Sequence, residues 1–262
     1  MSAKLVAVPS RPTAAQVAKA RERLIFALDV STWREAGPLV RQLKDHVGMF
    51  KVGKQLFLRE GPRILERIRS RGGEVFLDLK FHDIPQTVAR ASVEATRLGA
   101  FMFNVHASGS APMMREAVRQ VRRACRTEQL RRPLMLAVTV LTSLSAGDLA
   151  TVGVDAKIED QVLRLALLAK ECGMDGVVAS PHEIQAIRKA CGPRFAIVTP
   201  GIRRSGDAMG DQHRVNGPGE AVAAGADYVV VGRPIRDAED PRAEADAIVA
   251  EIAAALSSRR RS

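Results

Sequence analysis

EVFLDLKFHDIPQTVARASVEATRLG (residues 74–99) contains the unit from which the rest of the chain is built. An apolar run of strand length at 74–80 is followed by a polar loop, and then by a helical pattern at 85–98 that stops before Gly99. Nearly continuous apolar strands are typical of a parallel sheet that is buried on both faces. The stretch therefore predicts one β/α unit of a parallel sheet.

The same unit recurs along the sequence, so that strand and helix alternate eight times. Eight such units in 262 residues favour a single-domain (β/α)8 TIM barrel over an open doubly wound sheet, because that barrel takes about 250 residues. The other predicted strands are 24–30, 47–53, 101–106, 134–140, 175–180, 195–199 and 227–232. The other predicted helices are 33–45, 61–71, 111–126, 158–172, 181–191, 218–224 and 241–256.

The positive charge is concentrated in three segments, two of which are the ends of the chain. The net charge is +11, but residues 1–23, 115–132 and 257–262 together carry more positive charge than the whole chain does. We therefore expect a flexible N-terminal extension at 1–22, a barrel catalytic domain at 23–256 and a basic C-terminal tail at 257–262. No apolar run of membrane-spanning length and no secretory signal is present, which predicts a cytoplasmic protein that does not contact membranes.

The three cysteines exclude two other classes of protein. Cys125, Cys172 and Cys191 are odd in number and form no C-x-x-C pair, so neither a disulfide framework nor a zinc site is indicated. The five histidines also show no H-x-H or H-x-x-x-H spacing. No metal and no organic cofactor are therefore expected.

Charged residues close the first three predicted strands. Asp29 ends the first strand, Lys51 lies near the end of the second, and Asp78 and Lys80 end the third, with Asp83 in the loop that follows. Catalytic groups of a TIM barrel lie at this end of the strands. Charges within apolar strands are costly unless they are paired, and side chains two positions apart on a strand share a face. We expect alternating Lys and Asp side chains to pair there, as an active site or, alternatively, as a packing network.

The loops after strands seven and eight have the composition of a phosphate site, which is where this fold commonly places one. They read PGIRRSGDAMGDQ (200–212) and GRP (232–234). Glycines let backbone N–H groups approach an anion, and Arg203 or Arg233 adds a guanidinium that binds phosphate through two hydrogen bonds. The two loops predict a phosphorylated small-molecule ligand.

These residues resemble the motifs of the orotidine 5′-phosphate decarboxylase family. DLKFHDIPQT (78–87) is similar to the family signature D-x-K-x-x-D-I-P-x-T. Further similar motifs occur in the family's order across about 24–252: ALD (27–29), KVGK (51–54), NVHASG (104–109), VTVLTS (138–143), TPGIR (199–203), GDQ (210–212) and GRP (232–234). The resemblance implies decarboxylation of orotidine 5′-monophosphate to uridine 5′-monophosphate without a cofactor, in a TIM barrel.

The resemblance also implies a role for each matching residue near the reacting carbon. Lys80 matches the proton donor to C6 of the pyrimidine, and Asp78 matches the carboxylate that lies against the substrate's carboxylate. Lys51 matches the lysine that links this network to the ribose, and Asp29 matches a ligand of the ribose hydroxyls. Because Lys80 lies between Asp78 and Asp83 in sequence, we expect both carboxylates to raise its pKa.

Other matching positions bind the two ends of the substrate or reach a second subunit. Thr142 matches a residue that holds the pyrimidine. Arg203, Gln212, Gly232 and Arg233 match the group that holds the phosphate. Asp83 and Thr87 match residues that reach the site of the other subunit, which implies a homodimer. His82 and His106 are expected to support the site rather than to act as bases.

Two other functions are considered. A related barrel enzyme that acts on a sugar phosphate with a magnesium ion shares the D-x-K-x-x-D core but not the full DLKFHDIPQT run. A nucleic-acid-binding protein is suggested by the pI of 10.3 and by one helical stripe of Arg115, Arg119, Arg122 and Arg126. That stripe has no stacking aromatic residues beside it, so a solvated outer helix is favoured and no nucleic acid is expected.

Overall fold

Eight parallel strands close a barrel in sequence order in a computed structural model that describes residues 12–202 and 217–258. The strands are β1 (Leu24–Ala27), β2 (Met49–Gly53), β3 (Val75–Phe81), β4 (Met102–His106), β5 (Leu134–Val138), β6 (Gly176–Val178), β7 (Ala196–Thr199) and β8 (Tyr228–Val231). Each strand pairs with its neighbour in the chain, and β8 pairs with β1. The predicted single-domain (β/α)8 TIM barrel is confirmed.

Helices surround the barrel. Those of the described ranges are α1 (Ala14–Glu22), α2 (Trp33–Leu43), α3 (Lys54–Glu60), α4 (Arg63–Arg69), α5 (Pro85–Arg97), α6 (Ala111–Thr127), α7 (Ala146–Thr151), α8 (Ile158–Glu171), α9 (Ile184–Cys191), α10 (Pro218–Ala224), α11 (Arg233–Arg236) and α12 (Pro241–Ser258). No helix of these ranges is long and apolar enough to cross a membrane.

The short helices differ most from the sequence prediction. The predicted helix 61–71 is preceded by α3, which ends because Gly61 has a φ of +69° and Pro62 follows it. Helix α7 was not predicted and begins with a capping box between Ser145 and Asp148. Helix α11 covers only four residues, which is too short for a periodic apolar pattern to reveal.

The prediction of a flexible extension at 1–22 is wrong for its second half. Thr13 and Gln16 form a capping box that starts α1, and Ala20 on that helix is fully buried. Helix α1 packs on α12, where Gln16 Nε2 donates a hydrogen bond to Ser257 Oγ at 2.9 Å. Helix α12 itself continues to Ser258, two residues past the predicted end of the barrel. The remaining parts of both predicted tails, 1–11 and 259–262, lie outside the described residues.

Alternate residues of each strand face the inside of the barrel, and this inner layer changes in chemistry along the barrel axis. The part of this layer nearer the amino ends of the strands is apolar. It consists of Ile25, Ala27, Met49, Phe76, Met102, Leu136, Val138, Val178, Val198 and Val230. On the three neighbouring strands β2, β3 and β4 the next inward positions are Lys51, Asp78 and Asn104. The packed floor of the barrel therefore ends in a polar layer at the carboxyl ends of the strands.

Candidate active site

A cavity of about 480 Å³ opens at the carboxyl ends of the strands. Its apolar wall comes from the barrel interior and includes Phe76, Val138 and Val178. The predicted site residues that line it are Asp29, Lys51, Asp78, Lys80, Thr142, Gly232 and Arg233. The predicted charge network, the predicted pyrimidine-holding position and part of the predicted phosphate site thus line one cavity.

Asp78 is the centre of the charge network. Lys80 Nζ lies 2.6 Å from one carboxylate oxygen of Asp78, and Lys51 Nζ lies 3.6 Å from the other. Lys51 Nζ also donates to Asp29 Oδ1 at 2.9 Å. The side chains of Asp78 and Lys51 are only 11% and 13% exposed, so these charges interact through a poorly hydrated environment. The predicted pairing of alternating Lys and Asp side chains is therefore present.

Asn104 is a site residue that the sequence prediction left out of its site set. Its Nδ2 donates to Asp78 Oδ1 at 2.8 Å, and its Oδ1 accepts from the backbone N–H of Lys80 at 2.8 Å. Both ends of the amide are used, and the residue is 1% exposed. An amide at an inward position of β4, beside two charged inward positions of β3, is the signal that could have identified it.

Lys80 has an unusual backbone conformation. Its φ is +52°, and the register between β3 and β4 shifts between Leu77 and Phe81. A non-glycine residue with positive φ costs about 1–3 kcal/mol and persists only where its surroundings hold it, and such residues concentrate at active sites. The hydrogen bond from its N–H to Asn104 holds Lys80 in this conformation and keeps its ammonium beside Asp78.

The electrostatics of the network keep Asp78 ionised. Burial alone raises the pKa of the Asp78 carboxyl, but the charges of Lys51 and Lys80 oppose that effect. Hydrogen bonds from Lys80 and Asn104 add to the opposing effect, so that the pKa lies below its ordinary value. A negative carboxylate therefore stays at the bottom of the cavity at neutral pH.

The phosphate end of the predicted site is described in part. Pro200, Gly201 and Ile202 of the loop after β7 line the cavity, and Gly201 has a φ of +78°. Gly232 and Arg233 face them from the loop after β8 and from the start of α11. Arg203 and Gln212 lie outside the described residues.

Asp83 and Thr87 do not line the cavity of their own chain. Both are exposed, and the Asp83 carboxylate accepts the backbone N–H of Ile84 at 2.6 Å. Among the described residues, Lys80 pairs with Asp78 and not with the Asp83 of its own chain. The reason is local: α5 begins at Pro85, and Asp83 hydrogen-bonds the turn that precedes this helix instead of turning back to Lys80. A contact between Lys80 and the Asp83 of a second subunit stays a prediction.

The rings of His82 and His106 lie side by side in a tilted arrangement, with centroids 5.4 Å apart. Burial, together with the nearby charges of His82, Lys80 and Lys54, lowers the pKa of His106 to about 4, although the charge of Asp78 opposes this. His106 is therefore neutral at pH 7. Among the described residues, neither ring forms a hydrogen bond with Asp78 or Lys80, so their predicted supporting role stays a prediction.

Comparisons with known proteins agree with this geometry. The model of the orotidine 5′-phosphate decarboxylase / HUMPS family matches residues 22–248. An orotidine 5′-phosphate decarboxylase of Syntrophotalea carbinolica is 57% identical over 91% of this chain and 98% of its own length. One from Geobacter sulfurreducens is 53% identical over 90% of this chain and 98% of its own.

Solved structures extend the likeness to the fold. The crystal structure of orotidine 5′-phosphate decarboxylase from Lactobacillus acidophilus is 35% identical and superposes with a TM-score of 0.78, covering 87% of this chain and 97% of that one. The enzyme from Pyrococcus horikoshii OT3 is 30% identical, with a TM-score of 0.69 over 87% and 98% of the two chains. The chain belongs to the orotidine 5′-phosphate decarboxylase / HUMPS family.

Proposed function

We propose that this protein decarboxylates orotidine 5′-monophosphate to uridine 5′-monophosphate, the last step in making that pyrimidine nucleotide, as a carboxy-lyase without a cofactor. The observation that carries the proposal is the cavity in which Asp29, Lys51, Asp78 and Lys80 meet the loops after β7 and β8. Family membership and identities above 50% with curated enzymes of that name support it.

The chemistry requires stabilisation of negative charge at one carbon. The bond between C6 and the carboxylate carbon breaks, CO₂ leaves, and the electron pair stays on C6 of the pyrimidine. A fixed ammonium beside this carbon stabilises the developing charge without reorganisation. Lys80 supplies it, and its Nζ–H then transfers a proton to C6 to give the product; solvent returns the proton to Lys80.

Asp78 has two functions in this proposal. It holds the Lys80 ammonium at 2.6 Å, and as an ionised group it lies against the substrate's own carboxylate. Repulsion between the two carboxylates is present before the reaction and disappears as CO₂ leaves. Lys51 offsets part of the local negative charge and ties Asp78 to Asp29.

Binding energy at the phosphate offsets that repulsion. Gly232 and Arg233 bind the phosphate in this proposal, together with Arg203 and Gln212, while Asp29 binds the ribose hydroxyls and Thr142 holds the pyrimidine. Interactions with a part of the substrate that does not react hold the reacting part in place. In this proposal the phosphate end of the cavity supplies binding energy, and the reaction takes place at the other end.

We further propose a homodimer in which Asp83 and Thr87 reach the cavity of the partner subunit. Both side chains are exposed, and the large apolar side chain of Ile84 between them is 66% exposed. A second copy that covers this turn would bury Ile84 and bring a further carboxylate to Lys80.

A cytoplasmic location is also proposed, supported by the three cysteines, which are free.

The first test is a direct assay. Purified protein is mixed with orotidine 5′-monophosphate in the presence of EDTA, and the loss of substrate absorbance is followed together with the formation of uridine 5′-monophosphate. We expect rapid turnover that EDTA does not change. Folded, dimeric protein that leaves the substrate intact would contradict the proposal and favour a sugar-phosphate substrate, and activity that EDTA abolishes would favour the magnesium-dependent relatives.

A further inference from the structure

Asp29 lies in a segment that regular secondary structure does not hold. Strand β1 ends at Ala27, α2 begins at Trp33, and the side chain of Asp29 is 57% exposed. Its carboxylate must nevertheless be well placed, because it accepts the Lys51 ammonium at 2.9 Å and, in the proposed function, the ribose hydroxyls. Some contact outside β1 has to fix this residue.

Arg236, the last residue of α11, makes that contact. Its Nη1 donates to the backbone carbonyl oxygen of Asp29 at 2.8 Å. Its Nε and Nη2 donate to the two carboxylate oxygens of Asp237 at 2.6 Å and 3.0 Å, so the guanidinium is held in one orientation. The side chain is 30% exposed and lines the same cavity as Asp29.

The start of α11 touches Asp29 from a second direction. A Cβ atom at Gly232 would lie 3.4 Å from Asp29 Oδ2 and 3.3 Å from the Cβ of Ala27. The absence of a side chain at Gly232 thus leaves room for the Asp29 carboxylate beside the phosphate loop. Gly232, just before α11, therefore lies beside the Asp29 carboxylate, and Arg236, the last residue of α11, holds the backbone of Asp29.

We propose that Arg236 is a positioning residue, which fixes Asp29 relative to the phosphate-binding start of α11 and so sets how tightly the ribose is held. This inference rests on the proposed function. Direct contact between Arg236 and the phosphate is the competing role, but three of its nitrogens already face Asp29 and Asp237. Since it acts on the ribose and not on C6, Arg236 affects KM rather than kcat.

The test compares Arg236→Gln with Arg242→Gln, which removes the same charge from an exposed position near the start of α12. Loss of one hydrogen bond to a neutral acceptor corresponds to about a fivefold effect. We expect Arg236→Gln to raise KM for orotidine 5′-monophosphate about fivefold with kcat within about twofold, and Arg242→Gln to match the wild type. Calorimetry with uridine 5′-monophosphate measures the same loss in affinity without turnover.

A double-mutant cycle with Asp29→Asn separates the two roles. If Arg236 acts through Asp29, Arg236→Gln weakens uridine 5′-monophosphate binding by less than about twofold when Asp29 is already replaced. A fivefold loss that persists in the Asp29→Asn background would overturn the inference, as would unchanged KM and affinity in Arg236→Gln. Wild-type protein that binds the product nucleotide but does not decarboxylate the substrate contradicts the proposed function alone, and the binding cycle still decides the role of Arg236.

Discussion

Carboxylates occur at both ends of the barrel, but their partners differ. At the amino ends of the strands, Asp227 Oδ2 accepts the backbone N–H of Ile197 at 2.9 Å and pairs with Arg188 at 2.6 Å. Asp175 accepts the N–H of Met135 in the same way. At the carboxyl ends, by contrast, the Asp78 carboxylate contacts side chains: the two ammonium groups of Lys51 and Lys80 and the amide of Asn104.

The type of partner, more clearly than burial, distinguishes carboxylates that stabilise the fold from carboxylates that act in the reaction. A carboxylate that accepts a strand N–H ties two segments of backbone together, and its loss leaves the backbone donor unsatisfied. A carboxylate that contacts only side chains at the edge of a cavity, taken together with its cationic partners, adds little to the fold, because replacing a whole buried ion pair is often neutral or favourable for stability. Substitutions at the amino ends should therefore reduce stability, and substitutions at the carboxyl ends should reduce activity.

The largest expected effect is that of Lys80→Ala. It removes both the ammonium that stabilises the charge on C6 and the proton donor, so we expect kcat/KM for orotidine 5′-monophosphate to fall about 10⁴-fold or more. Lys44→Ala, the same change on the outer surface, should leave kcat/KM unchanged. Steady-state assays of both variants measure this. A Lys80→Ala enzyme within tenfold of the wild type would remove the distinction between the two ends of the barrel.

Arg233→Ala should have the next largest effect. The change removes a guanidinium from the proposed phosphate site, and loss of one such interaction lowers kcat/KM by about 10²–10³-fold. The circular dichroism spectrum and melting temperature should stay close to those of the wild type. Arg63→Ala, an exposed arginine on α4, is the matched control. Equal kcat/KM in wild type and Arg233→Ala would show that the phosphate is bound elsewhere.

Arg188→Ala tests the amino end of the barrel. Arg188 contacts the carbonyl oxygens of Gly192, Phe195 and Gly225 in addition to Asp227. We expect its loss to lower the free energy of unfolding by about 2 kcal/mol, because partly buried acceptors lose their donor, while kcat/KM stays within twofold. Urea unfolding and steady-state assays on one preparation measure both quantities. Lost activity with unchanged stability would reverse the proposed difference between the ends.

The barrel and most of its charged site could be predicted from the sequence because both follow from local patterns. Eight apolar runs with helical patterns between them set the fold, and strand alternation places Asp78 on the same face as its neighbour Lys80. Strand alternation does not place Asp83, because its position depends on the direction of a loop. Asp83 bonds to the N–H of Ile84 in the turn that starts α5, and no periodic pattern encodes that choice.

Asn104 and Arg236 were missed for a different reason. A neutral amide gives no charge signal, and its importance depends on the register between β3 and β4, which shifts at Lys80. Arg236 meets Asp29 across 207 positions of sequence, and only closure of the barrel between β8 and β1 brings them together. The contact of Arg236 with Asp29 therefore follows from tertiary structure, so a single sequence does not reveal it.

The smallest expected effect concerns acid sensitivity at the carboxyl end. The pKa of His106 is about 4 in the folded protein and about 6.5 in the unfolded chain, so between these values the unfolded chain binds a proton that the folded protein does not. Stability therefore falls as pH drops below about 6.5. His106→Gln should reduce the loss of unfolding free energy between pH 7 and pH 5 by about 1 kcal/mol, after allowance for partial exposure of the ring.

Urea unfolding of wild type, His106→Gln and the exposed control His182→Gln at both pH values measures the difference. The outcome shows which side chains supply positive charge at the cavity. If His106→Gln loses less stability on acidification than the other two proteins, the ring is neutral throughout the working range, and the ammonium groups of Lys51 and Lys80 are the cations that face Asp78. Equal losses in all three proteins would mean that the ring accepts a proton near pH 6, which would add a third cation beside Lys80 and make decarboxylation sensitive to pH there.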